Sequence, residues 1–213
     1  MTRTTRLTRD VVTGAALDLL DEVGLDAVST RRLAQRLGVE QPSLYWHFRN
    51  KDELLAAMAQ AALAPHAAAP LPRAEEDRLA WFRENARSLR RALLRRREGA
   101  RLHAGSRPAA DDLGRIQHKL AFLTSGGVPE LVAQMALLAA GRFTVGSVLE
   151  EQADLAHDPG GDGQPPGLDH EAAFEAGLGL LAEGLATHVR NRHGHATPAV
   201  SRPTDPRDPP PFA

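Results

Sequence analysis

The sequence is 213 residues long, 42% hydrophobic and 25% charged, with a formal net charge of −1. That is enough chain for one or two domains with a real core, and so balanced a charge supplies no global field to hold the protein on nucleic acid or an anionic membrane. Cysteine is absent, which excludes a disulfide framework and a thiolate metal site.

The chain opens with MTRTTRLTRD, which lacks the apolar core of a signal peptide. No apolar run approaches the roughly 20 residues of a membrane span, so the expectation is a cytoplasmic protein with no membrane partner. Thr8 and Asp10 signal a helix start, and DVVTGAALDLLDEVG carries Val11, Ala15, Leu19 and Val12, Ala16, Leu20 on one face before Gly24 closes it. Ser29 or Thr30 caps a short helix to Leu37, and Gly38 ends it. Gln41-Pro42 opens another to His47, with Pro acceptable in its first turn. Asn50 caps a longer helix expected to stop near Pro65, and APLPRAEE reads as a connector. Glu75 to Arg97 is helical, GARLHAGSRP is a short helix broken at Gly105 to Pro108, and Asp111 to Thr124 is the next. Pro129 starts a strongly apolar helix reaching Gln152, HDPGGDGQPPGLD is a loop, and His170 to Val189 is the last helix. The tail holds six of the 15 prolines and reads as disordered. The fold class is all-α: an N-terminal three-helix helix-turn-helix domain (1–51), a connecting helix (52–66), a helical bundle for ligand binding and dimerisation (67–192), and a Pro-rich tail (193–213).

Thr30–Leu37, the turn GVE and Gln41–His47 have helix-turn-helix spacing. Ala34 permits close helix crossing, while Val39 and Leu44 fill the seam. Thr30, Arg31, Gln41, Pro42, Ser43, Tyr45, Trp46, His47 and Lys51 are left as candidate contacts to double-stranded DNA. Gln41 can bond an adenine bidentately and Arg31 can reach guanine, while Thr30, Tyr45 and Lys51 can grip phosphates. A helical hairpin with Tyr45 and Trp46 packed inside is the alternative, and Trp46 is the residue most open to it.

The stretch TRRLAQRLGVEQPSLYWHFRNKDELL resembles the signature of the tetracycline-repressor (TetR) family, down to Tyr-Trp-His before a basic-Asn-Lys turn. The resemblance implies a homodimeric repressor that leaves its operator when a small ligand binds. NARSLRRALLRRREGARLHAGSRP and GRFTVGSVLEEQ are similar to the ligand-binding core of the tetracycline repressors themselves. On that likeness Asn85, His103, Ser106, Arg107, Pro108, Ile116 and Glu150 fall on pocket positions. His103 falls on the position that ligates a drug-chelated magnesium ion, which Ser106 and the second subunit's residue at the Glu150 position reach through water. No cofactor is required, and Mg²⁺ would arrive with a chelating effector, since a lone imidazole is a poor magnesium ligand. The chain also departs from that pattern. The drug-anchoring His falls on Ala67, next to His66, while Gln, Phe and His positions hold Lys119, Leu89 and Arg142. Two added cations favour an anionic or polyoxygenated effector; solvated or interface charges are the alternative for both.

Val132, Met135, Ala136, Ala139, Ala140 and Phe143 form one apolar face, and Leu178, Leu181, Leu185 and Val189 another. Together they suit a four-helix dimer interface or an intramolecular core, and the likeness favours the dimer. The arginine-rich run Arg87 to Arg101 reads as a solvated face, pairing with Glu98 and the acids at 75–77. The surface is the expected place for His118, His157, His188, His193 and His195. No phosphate loop, nucleophile elbow or paired-His metal helix occurs, so the chain reads as no enzyme. The alternatives are a DNA-binding regulator without effector-driven release and a small helical enzyme using His103 and Glu150.

Overall fold

Each early helix starts where a short polar side chain can take up a free backbone N–H. Thr8 Oγ1 accepts from Val11 N at 3.3 Å to open α1 (Arg9–Val23). Ser29 Oγ accepts from Arg32 N at 3.3 Å to open α2 (Thr30–Leu37), which settles the cap in favour of Ser29. After the five-residue α3 (Gln41–Tyr45), Asn50 Oδ1 accepts from Glu53 N at 2.8 Å and opens α4 (Lys51–Ala67). The computed structural model describes residues 6–106, 110–156 and 168–194, and these contain α-helices and no strand. Beyond α4 lie α5 (Arg78–Leu94), α6 (Gly99–Ala104), α7 (Ala110–Ser125), α8 (Glu130–Ala156) and α9 (His170–Gly194). The loop after His157 and nearly all of the Pro-rich tail fall outside the described residues, as do His157 and His195. His118 and His188 are exposed.

Several boundaries differ from the sequence reading: α3 stops at Tyr45 and α5 at Leu94, while α8 and α9 run on to Ala156 and Gly194. The connecting helix runs through Pro65 to Ala67, because a proline in the last turn forfeits one hydrogen bond while Ala68 N still bonds Ala64 O at 2.8 Å. The next helix starts at Arg78 and not Glu75, because Asp77 Oδ1 takes Ala80 N at 2.7 Å and fixes the entry.

The apolar faces assemble into separate clusters. Val12, Ala16, Leu20, Leu33, Leu44, Leu54 and Met58 form the head's core, together with Leu102 from α6. Phe82, Leu123, Phe174, Leu178 and Leu185 join α5, α7, α8 and α9 in the body, where the rings of Phe143 and Phe174 stack at 5.5 Å. Gly177 allows that stack: a Cβ there would lie 2.5 Å from the Phe143 ring. Leu93, Ala100 and Val148 bridge α5, α6 and α8.

The apolar faces of α8 and α9 are divided. Ala140, Leu178 and Leu185 are buried within the chain, whereas Leu131, Met135 and Leu138 on α8 and Leu180 on α9 are exposed. The intramolecular core therefore takes part of the face assigned to dimerisation. By length and composition alone α8 is apolar enough to cross a membrane, contrary to the reading that no run came close. Ala133, Ala140, Thr144 and Val148 of α8 are nevertheless buried against the chain's own helices.

The arginine-rich run is a solvated face only in part: Arg91, Arg95, Arg97 and Arg101 are exposed, and Arg97 and Arg101 pair with Glu98. Arg90 is buried, with Nη2 donating to Glu151 Oε2 at 2.7 Å, Nη1 donating to Glu171, and its guanidinium 5.1 Å over the Phe174 ring. Arg87 forks onto both oxygens of Glu175 at 2.7 Å. The run thus ties α5 to α8 and α9. Glu75 and Glu76 pair with Arg73 instead.

Candidate DNA-reading face and ligand cleft

The turn between α2 and α3 depends on Gly38, whose φ of 66° is left-handed and disfavours a side chain. Val39 N then bonds Ala34 O at 3.1 Å, and Leu33, Ala34, Leu44 and Phe48 are buried beneath. The outer face holds what the seam cannot. Arg31, Gln41, Pro42 and Lys51 are exposed, Thr30, Ser43 and His47 are half-buried, and Tyr45 is 50% exposed. Trp46 is 89% exposed, so it is not buried against the first helix. The third helix ends at Tyr45, short of His47, leaving Trp46 and His47 on the turn that follows.

Gln41 is held in place. Its Nε2 donates to Thr30 Oγ1 at 3.0 Å and to Tyr45 Oη at 3.4 Å, which fixes the amide's orientation on the open face. Sequence reading missed Arg9, which donates to His47 O at 2.7 Å and Glu53 Oε1 at 2.8 Å while lying 4.3 Å over the Phe48 ring. Glu53 also accepts from Arg49 N at 2.8 Å. That bond, with Arg9 second, holds its carboxyl below the ordinary value. Arg9 and Glu53 therefore lock the turn that presents Trp46 and His47. Their separation of 44 residues left no local signal.

A second group of bonds joins this head to the body. Arg96 Nη1 donates to Asp21 Oδ2 at 2.6 Å, and Arg97 N to Asp21 Oδ1 at 2.9 Å. Arg101 forks onto Asp26 at 2.7 and 3.0 Å. Glu98 accepts from Leu25 N at 3.0 Å and from Arg101 at 2.8 Å. Asp26 is held below its ordinary pKa by the Arg101 bond, and Arg101 is raised by the same contact.

A cleft of about 470 Å³ opens between the end of α4, α5 and α7. His66, Asn85 and Lys119 line it, with Pro65, Trp81, Glu84, Ser88, Arg91, Arg95 and Arg115. It is His66, not Ala67, that faces the opening, and its Nδ1 lies 3.0 Å from Ser88 Oγ. Burial, with Lys119 and Arg115 adding repulsion, pushes the His66 imidazole down to about 4. Burial also takes the Lys119 ammonium down to about 8; Arg115 reinforces the shift and Asp112 opposes it.

The remaining candidates sit elsewhere. Leu89 packs with Leu93, Ala100 and Val148. His103 is half-buried and does not line the cleft, is held below its ordinary pKa by burial, and its Nδ1 has no partner among the described residues. Ser106 Oγ turns back to His103 O at 2.8 Å. Ile116, Arg142 and Glu150 are exposed. Arg107 and Pro108 lie outside the described residues. No hydrogen bond or ion pair joins His103 to Glu150 among the described residues, so the acid–base pair of the enzyme alternative is not assembled. Nor does the donor set fit a resident magnesium ion. A lone imidazole offers none of the oxygens that ion requires, and no three His, Asp or Glu side chains cluster among the described residues.

An exposed reading helix on a three-helix head, bonded to a helical body with its own cleft, defines a helix-turn-helix transcription regulator controlled by a ligand. Comparison with known proteins makes this specific. Bacterial regulatory proteins of the tetR family match residues 12–58, and tetracyclin repressor-like C-terminal domains match residues 71–167. The chain is 46% identical over 209 residues to the class A tetracycline repressor protein from transposon 1721 of Escherichia coli, covering 89% of this chain and 97% of that one. Among solved structures, a TetR-family transcriptional regulator from Streptomyces coelicolor is 64% identical with a TM-score of 0.68, covering 86% of this chain and 98% of that one. The class A repressor in complex with 5a,6-anhydrotetracycline and magnesium is 46% identical with a TM-score of 0.73, covering 85% and 99%. The chain belongs to the TetR family, and it is a ligand-responsive, DNA-binding repressor that acts as a homodimer.

Proposed function

We propose that this regulator, acting in the cytoplasm, binds a palindromic operator through residues 1–51 of each subunit and releases it when an anionic or polyoxygenated small molecule enters the cleft. Gln41 and Arg31 read base edges, and Thr30, Tyr45 and Lys51 hold phosphates. The carrying observation is the cleft beneath the end of α4, lined by His66, Asn85, Arg95, Arg115 and Lys119. A ligand there touches the end of the helix that carries the reading head. The short α6 can carry a change in the cleft to the head, since Leu102 packs into the head's core while Ala100 packs in the body. A ligand acts by favouring one head spacing over another.

A tetracycline-like effector that brings chelated magnesium to His103 is the second reading. The orphaned Nδ1 of His103 favours it, because an unmade buried hydrogen bond costs about 1–3 kcal/mol that a ligand contact recovers. A fluorescent duplex from the gene's own promoter region separates the two by anisotropy. Release by organic anions in the presence of EDTA supports the first reading. Tight release by anhydrotetracycline only when magnesium is added overturns it in favour of the second.

A further inference from the structure

The charges around the cleft are unevenly matched. Glu84 is committed to Arg91 at 2.5 Å, and Glu76 to Arg73 at 3.1 Å. Arg115 donates to Ala69 O at 2.6 Å, a neutral acceptor that leaves its charge uncancelled. Neither Lys119 nor Arg95 has an ion pair among the described residues, although Asp112 exerts a favourable field on Lys119. Lysine is also used sparingly: Lys51 and Lys119 are the only two, and every other basic residue is arginine. A lysine presents a compact point charge on a flexible stem, which can meet a single carboxylate oxygen without the planar alignment an arginine fork requires. Half-buried and unpaired, its ammonium is costly until an anion arrives. The walls beside it, Trp81, Pro65 and Pro70, are apolar.

We infer that Lys119, flanked by Arg115, is the specificity-determining residue for an organic carboxylate with an apolar body, which the cleft binds without a divalent metal. The inference rests on the cleft being the effector site. The ammonium supplies the positive charge opposite the ligand's oxygens, so no chelated cation is needed there. Charge-assisted contacts of this kind are strong enough to discriminate a carboxylate from its neutral amide by about tenfold.

Because the chain has two lysines, amine NMR of lysine-labelled full-length protein yields two side-chain ammonium signals. With EDTA present, 2-naphthoate should shift the Lys119 signal and leave that of Lys51 in place, while 2-naphthamide shifts neither. Calorimetry should show 2-naphthoate binding at least about tenfold more tightly than the amide. Lys119→Met should erase that ratio, the loss falling on 2-naphthoate. Equal affinities for acid and amide, a ratio that survives Lys119→Met, or a Lys119 shift that needs magnesium would each overturn the inference. Anisotropy on the operator separates the two readings. A carboxylate that moves the Lys119 signal yet leaves DNA bound sinks the effector assignment and leaves the anion site standing.

Discussion

Glu98 offers the sharpest test of how the head is hung on the body. It is the one non-glycine residue with positive φ among the described residues, at 54°, and its carboxylate accepts from Leu25 N and Arg101. Replacing it with alanine removes a charged acceptor from a half-buried backbone N–H, a loss of about 1.5–3 kcal/mol. The Arg101 contact adds little, because that arginine is half exposed. Alanine keeps the left-handed backbone and its penalty, whereas glycine removes that penalty, worth about 1 kcal/mol. Glu98→Ala should therefore be destabilised by about 2–3 kcal/mol and Glu98→Gly by about 1 kcal/mol less. Urea unfolding of the dimer at one fixed protein concentration measures both, since dimer stability depends on concentration. Amide exchange at Leu25 should accelerate in both variants. Equal stabilities for the two, or an unchanged Leu25 exchange rate, would show that neither the bond nor the backbone conformation matters as described.

Gln41→Ala should relax base preference at a cost of about 1–3 kcal/mol on the best operator, and Lys51→Ala should weaken all sequences alike and lower the salt slope by about 1. Anisotropy on specific and scrambled duplexes checks both, and parallel losses on every duplex would contradict the roles. Arg90→Met strands the partly buried Glu151 and should cost about 3 kcal/mol in a thermal or urea melt, most of it regained in Arg90→Met/Glu151→Leu. Lys119 sits near 8 in the folded chain against an ordinary 10.5, so between those values the unfolded chain binds more protons and stability rises with pH. Lys119→Met should abolish that rise in pH-dependent melts. His66, at about 4 against an ordinary 6.5, acts likewise, so stability falls as acid is added across that window, and His66→Asn should flatten the fall.

What the sequence made legible was local. Thr8, Ser29 and Asn50 each cap a residue three positions on, so both partners lie within one turn and the helix starts can be read directly. The α2–α3 turn was legible for the same reason. Long-range partners were not. Arg9 finds His47 across 38 residues, Glu98 finds Leu25 across 73, and Arg90 finds Glu171 across 81. No periodicity encodes such pairs. The same limit hid which apolar positions of α8 and α9 turn inward, because both helices are apolar on more than one face and only packing chooses between them. In the cleft, charge type was legible at Lys119 but not its company: His66 rather than Ala67, with Arg91, Arg95 and Arg115, comes from three helices.

A net charge of −1 conceals the distribution that matters. Most of the arginine run is cancelled by acids elsewhere in the fold: Arg87, Arg90, Arg96 and Arg101 all end on carboxylates. Function is then better sought where cations lack acids than where basic residues are dense. Among the described residues Arg31, Arg32, Arg49 and Lys51 have no ion pair on the reading head, and Arg95, Arg115 and Lys119 have none at the cleft, with Arg6, Arg78, Arg83 and Arg142 as the scattered remainder. The first group faces outward, as phosphate binding requires, and pays little for being unpaired in water. In the second, Arg115 and Lys119 are half-buried, where an uncancelled charge is a standing cost and therefore a source of affinity for whatever anion enters. An anion in that cleft sits against the final turn of α4, whose other end begins at Lys51, so one helix spans both groups of unmatched charge.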